Sequence, residues 1–164
     1  MKRLIYLIFF TFLILANVVL VNAQAKSPQA SESAMKIDRI SNIRDRLFEK
    51  IALFFKFSKE DKLNYYIYLQ EKRLADLNFA IDQDHGDLIE ELSSRYSTYI
   101  GNMVNFAVEN KISNKKDGIT KMMEIHKKII GDQQKKFPFE SGFWLLLQHD
   151  INTLKIFSDK LQQI

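Results

Sequence analysis

Apolar residues recur every three or four positions in five successive runs along this chain, and no segment alternates apolar with polar residues as a half-buried strand does. A 3.6-residue period repeated five times between polar breaks commits the backbone to amphipathic helices. A set of such helices has to bury its stripes against one another. The first run is Ile37, Ile40, Ile43, Leu47, Ile51 and Phe54, stepping by 3, 3, 4, 4 and 3. It places a first helix from about Ser33 or Ala34, with Phe48 and Phe55 widening its apolar face. Ser58 followed by Asp61 resembles a capping box and opens a second helix, whose face is Leu63, Ile67, Leu74, Leu77 and Ile81, with Gln70 in the missing step.

The stretch Asp82-Gln-Asp-His-Gly-Asp87 breaks that helix: Gly86 allows a left-handed turn, and Asp84 or Asp87 can cap the next one. The third run, Leu88, Leu92, Tyr96, Tyr99, Met103 and Phe106, ends at a polar turn over residues 113–118. Ile119, Met122, His126, Ile129 and Gln133 carry a fourth face, which Phe137-Pro138 terminates because proline disfavours a helical residue before it. The fifth helix starts near Ser141 and turns Phe143, Leu147, Ile151, Leu154 and Leu161 inward, with Trp144, Leu146 and Phe157 broadening the face. Five glycines and two prolines are too few for a turn-rich all-β chain. The expected fold is all-α: a four- to five-helix antiparallel bundle over residues 34–164, following an N-terminal signal segment.

That segment has the three parts of a secretory signal. Met1, Lys2 and Arg3 form a positive start, residues 4–15 are apolar apart from Thr11, and Val21-Asn22-Ala23 supplies small residues where a signal peptidase reads. Cleavage is expected after Ala23, with Ala23-Gln24-Ala25 offering a second site. The competing reading is an uncleaved anchor, since residues 4–21 carry only Thr11 and Asn17 as polar interruptions and a spanning helix needs about 20 apolar residues. Residues 24–33, rich in Ser, Ala and Gln, read as a flexible leader. No later stretch is long and apolar enough to cross a bilayer. The chain is therefore expected outside the cytoplasm, periplasmic or secreted, and anchored only if the N-terminal helix is retained. Loss of Lys2 and Arg3 lowers the formal charge from +4 to +2, so the basic balance belongs partly to the signal, and nucleic acid is not an expected partner.

Charge also hints at topology. Residues 82–110 carry six acids and one base, residues 111–136 eight lysines and three acids, which would suit antiparallel neighbours. Solvated faces explain the same pattern, because exposed pairs contribute only ~0–1 kcal/mol each.

Few residues suggest chemistry. Without cysteine, disulfides, thiolate metal sites and a cysteine nucleophile are excluded. His85, His126 and His149 lack His-Glu-x-x-His spacing, and none has a glutamate three positions before it, as a di-iron bundle needs. The Asp82–Asp87 turn is a poor calcium loop, with glycine at its fifth position and Ser93 where the bidentate glutamate belongs. His126 lies on an apolar stripe and is expected at the core edge. Ser113-Asn-Lys-Lys116 matches Ser-x-x-Lys without its companion motifs. Glu71, Asp76, Glu90 and Glu91 are carboxylates of the kind every helix carries. No catalytic, cofactor or metal residue is assigned, no cofactor is expected, and the chain is read as not an enzyme. Lys121, Lys128 and Lys135, every seven residues, form a solvated face or a cationic stripe. Phe54, Phe55, Phe57, Tyr65, Tyr66 and Tyr68 bracket the first corner, where packing is the expected role and a partly exposed aromatic patch is the place to look for a partner.

Residues 46–62, then Glu71-Lys-Arg-Leu-Ala-Asp-Leu77, His126-Lys-Lys-Ile-Ile130 and Pro138, resemble a family of exported bacterial helical domains with no assigned activity, a domain of unknown function. The resemblance spans most of residues 35–160 and implies a helical fold and an extracytoplasmic location. The Ser-Pro-Leu-Tyr-Pro-Leu-Lys lead-in common in that family is missing here. Small periplasmic stress chaperones and metal-responsive helical hairpins carry a Leu-Thr-x-x-Gln motif that this chain lacks. The function expected is an interaction or scaffold module whose partner is another envelope or extracellular protein. The alternative is a stress protein that binds metal or holds unfolded clients.

Overall fold

A computed structural model describes residues 35–164; the signal segment at 1–23 and the leader at 24–33 lie outside the described residues. Five helices make up the fold: α1 (Ile43–Phe54), α2 (Lys59–Asp82), α3 (Gly86–Glu109), α4 (Lys116–Gln134) and α5 (Gly142–Leu161). A single 3-10 turn, Ser113–Lys115, precedes α4, and no strand occurs among the described residues. The all-α expectation holds. Helices α2 to α5 form a four-helix bundle around one apolar core. Going round the bundle, α2 packs on α3, α3 on α5, α5 on α4, and α4 closes the ring against α2. No helix among the described residues is long and apolar enough to cross a membrane.

The sequence signals explain most boundaries. Ser58 caps α2, its Oγ accepting the Asp61 N–H at 2.9 Å, and Ser141 caps α5 in the same way through the Trp144 N–H. Leu63, Ile67, Leu74, Leu77 and Ile81 are all buried, and so is Gln70, the polar residue in their register. Gly101 faces α5 so closely that a Cβ there would meet the Phe157 ring at 3.0 Å, so a glycine at this position lets the two helices approach.

Three details differ from expectation. At the first corner of the bundle, Asp84 rather than Gly86 takes the left-handed conformation (φ 57°), and Gly86 is already the first residue of α3. The cap position falls to His85, which makes no side-chain cap bond. Helices α3 and α4, whose opposite charges suggested neighbours, instead sit diagonally, with α2 and α5 between them. Apolar stripes set the packing order here, and weak exposed charge pairs cannot override them. The first helix starts at Ile43, about nine residues later than its stripe suggested. Asp76 of α2 accepts from the Ser41 backbone N–H and Oγ at 2.9 and 3.0 Å, holding the chain extended at this point. Asn42 then opens α1 with a full capping box: its side chain accepts from the Asp45 N–H, and Asp45 accepts from the Asn42 N–H. Ile40 packs on the core from this extended segment rather than from a helix.

Candidate interaction surface

Helix α1 is mounted on the bundle by its polar face. Glu49 is its one buried residue. The Glu49 carboxylate accepts from Lys72 Nζ at 2.7 Å and pairs with the Arg73 guanidinium, both on α2. Arg73 is fully enclosed, donates to Asp76 Oδ2 at 2.6 Å, and lies 4.8 Å over the Tyr99 ring. A buried guanidinium is tolerable here because two carboxylates and an aromatic face surround it. Asp45, the other acid of α1, is held by Arg39 at 2.6 Å; that bond and the Asn42 N–H keep its carboxyl well below the usual range.

The opposite face of α1 is apolar and is covered by none of the described residues. Ile43 is 75% exposed, Phe54 77% and Phe57, just beyond the helix, 87%; Leu47, Phe48, Ile51 and Phe55 are also exposed. The expectation that this stripe would be buried against the other helices is overturned. Burial goes instead to the side that can satisfy Arg73 and Asp76, two charges that would otherwise be stranded in the core at several kcal/mol each. The aromatic corner divides likewise. Phe54, Phe55 and Phe57 meet edge to face, outside the core, with centroids 5.5 and 6.5 Å apart. Tyr65 and Tyr68 stack at 5.7 Å with Lys56 over Tyr65, while Tyr66 turns inward against Phe106. A contiguous exposed apolar face is the usual mark of a contact surface.

The residues considered for chemistry are committed elsewhere. His126 is enclosed in the core; its Nδ1 is 3.0 Å from the Tyr96 hydroxyl and its Nε2 is 3.3 Å from Glu71. Burial pushes the Tyr96 phenol well up, so the phenol keeps its proton. His126 thus ties α3 to α4 across the bundle, deeper than the core edge expected of it. His85 and His149 are exposed on other elements. Asp82 is taken by Lys136 at 2.5 Å and Gln133 at 3.1 Å, which closes the corner that resembled a calcium loop. No group of three or more His, Cys, Asp or Glu among the described residues is arranged to hold a metal ion. Lys116, from the Ser-x-x-Lys match, donates to the Ile164 carbonyl at 2.7 Å and clamps the C-terminal end. Glu91 pairs with Arg95, and Glu90 is exposed. Lys121, Lys128 and Lys135 are exposed, as a solvated face requires.

Three buried charges, Glu49, Arg73 and Asp150, were not singled out from sequence. Asp150 of α5 is enclosed, accepts from Ser97 Oγ at 2.6 Å, and is pushed up to about 6 by burial. Its hydrogen-bond donor Ser97 lines an open groove between α3 and α5 together with Ser93, Thr98, Leu146, His149 and Phe157. Both Asp150 and Arg73 occupy inward positions of their helices, in step with Leu147 and Leu154 and with Gln70 and Leu77. A charge in apolar register is the signal that would have found them.

No curated protein and no solved structure matches this chain. A family model described as Domain of unknown function (DUF5667) matches residues 44–133, from α1 through nearly all of α4.

Proposed function

The chain belongs to this family of a domain of unknown function, and on that premise we propose that it is an exported, non-catalytic helical domain serving as an interaction or scaffold module of the bacterial cell envelope. The observation that carries the reading is the uncovered apolar face of α1, held outward by the Glu49–Arg73 and Asp76–Ser41 contacts. Folding alone gains nothing from leaving Phe54 and Phe57 in water, whereas burying a large apolar side chain gains about 1.5–3 kcal/mol. Residues 1–23 support export. The non-catalytic reading is supported by His126 and Arg73, which are tied to the chain's own Tyr96 hydroxyl and Asp76 carboxylate.

The test is mild cross-linking in the native envelope, affinity recovery of the tagged chain, and intact mass of the recovered chain in the same run. The expected result is one protein chain recovered in near-equal amount, lost in Phe54→Ser/Phe57→Ser, with the bait lacking residues 1–23. Substrate turnover by the purified chain, abolished by one histidine or carboxylate substitution, would overturn the reading. A stress protein that holds unfolded clients would use the same aromatic ridge. Suppression of client aggregation by the wild type, and not by the double variant, would favour it.

A further inference from the structure

Resting on the reading of α1 as a contact face, we infer that its occupant is a second copy of this chain, the two α1 helices pairing antiparallel about a two-fold axis near residue 49. Weighted by their exposures, the seven apolar side chains from Ile43 to Phe57 leave roughly 800 Å² in water, at ~150–250 Å² per large side chain. That exceeds the ~300–600 Å² of a typical largest surface patch and is an upper bound, of the order of the ~800 Å² per partner that a standard stable interface buries, on what an α1 pair can cover. A two-fold pair is self-complementary by construction, so one face suffices for both partners.

Charge selects the orientation. At 3.6 residues per turn Arg44 projects from the middle of the apolar face, between Ile51 and Phe55, and Lys50 flanks the other edge. The acids of α1 are turned away, Glu49 into its pairs with Lys72 and Arg73 and Asp45 towards Arg39. A parallel pair would set Arg44 against Arg44. In the antiparallel pair, positions whose numbers add to 98 face each other, so Arg44 meets the Phe54 ring of the second copy as a cation–π partner, Leu47 meets Ile51, and Ile43 meets Phe55. The two Arg44 side chains are then about 15 Å apart along the helix, at 1.5 Å per residue, beyond the ~8 Å screening length at physiological salt. A lipid surface gives the central Arg44 no aromatic partner within the apolar layer.

The test uses the chain as purified from the envelope, with molar mass measured by light scattering from 1 to 100 µM. It also uses single-cysteine variants, which need no background correction because the chain has no cysteine of its own. The expected result is a dimer that Leu47→Asp weakens at least 100-fold while leaving the helical spectrum and melting temperature of the fold unchanged. A short bismaleimide should join Ile43→Cys to Phe55→Cys in a mixture, join Phe48→Cys to itself, and fail to join Ile43→Cys to itself. A monomer at 100 µM, a dimer indifferent to Leu47→Asp, or efficient Ile43→Cys self-linkage overturns the proposal. A monomer that binds a different envelope protein, or phosphatidylglycerol vesicles, through Phe54 and Phe57 overturns the second copy but leaves α1 a contact face. A monomer whose envelope cross-links are unaffected by Phe54→Ser/Phe57→Ser removes the contact reading as well.

Discussion

Asp150 makes the stability of this domain depend on pH in a direction opposite to that of most carboxylates. Its side chain is enclosed between α3 and α5, with Ser97 Oγ as its hydrogen-bond donor, and burial raises the carboxyl from 3.8 to about 6. An acid whose folded value lies above its unfolded value binds its proton more tightly in the native state. Its contribution to stability is fully present below the unfolded value and is lost as pH rises through the folded one. The window therefore runs from about pH 4 to about pH 6. At ~1.4 kcal/mol per pH unit, the difference between 3.8 and about 6 amounts to about 3 kcal/mol. Other acids pull the opposite way: Asp45, Asp82 and Asp132 are lowered by their cationic partners and lose stability on acidification. The contribution of Asp150 is isolated by subtraction. Urea unfolding of the wild type and of Asp150→Asn at pH 4, 5, 6 and 7 should give a stability difference that moves by about 3 kcal/mol in favour of the variant as pH rises. Parallel pH profiles for the two proteins would refute the argument, because they would mean that the carboxyl titrates alike folded and unfolded.

Three other substitutions probe the polar interior and the close helix contact. Arg73→Met leaves Glu49 and Asp76 without their shared cation and should cost about 3–5 kcal/mol in urea unfolding; a loss below 1 kcal/mol would mean that the α1 mount is not held by this pair. Gln70 is enclosed, its amide within reach of the Tyr96 phenol but with no hydrogen bond of normal geometry, so Gln70→Met should stabilise by about 1 kcal/mol, read as a rise in melting temperature; a fall would show that the Tyr96 contact is a working hydrogen bond. Gly101→Leu forces the Phe157 ring aside and should destabilise by about 1–3 kcal/mol, whereas an unchanged melting point would show that α3 and α5 separate without cost.

Helix number, the break before Gly86, the cap at Ser58, the start of the last helix near Ser141 and the inward register of α2 were legible in the residues, whereas the turn read at 113–118 ends at Lys115, with Lys116 already in α4. The legible features depend on local chemistry: a hydroxyl three residues from an N–H, or a period of 3.6. The family resemblance read from residues 71–77, 126–130 and 138 agrees with the match over 44–133, and neither assigns an activity. The start of α1 was misplaced because Ile37 and Ile40 keep the helical spacing while Asp76, 35 residues away, fixes the Ser41 backbone as extended. No local pattern carries a contact of that range.

The contact face was half legible. The aromatic corner at Phe54, Phe55, Phe57 and Tyr68 was marked from sequence as the place to meet a partner, and those rings are exposed. That the whole stripe from Ile43 to Phe54 points away from the bundle was not. Periodicity identifies which residues share a face of a helix, since that follows from backbone geometry alone. Which way that face points follows from competition with the other face. In α1 the competitor is Glu49, and it prevails because Arg73, buried in α2, needs its carboxylate. The amphipathic helices and their lengths are therefore properties of the chain read locally, while the diagonal placement of α3 and α4 and the outward turn of α1 come from contacts that exist only once the bundle has closed.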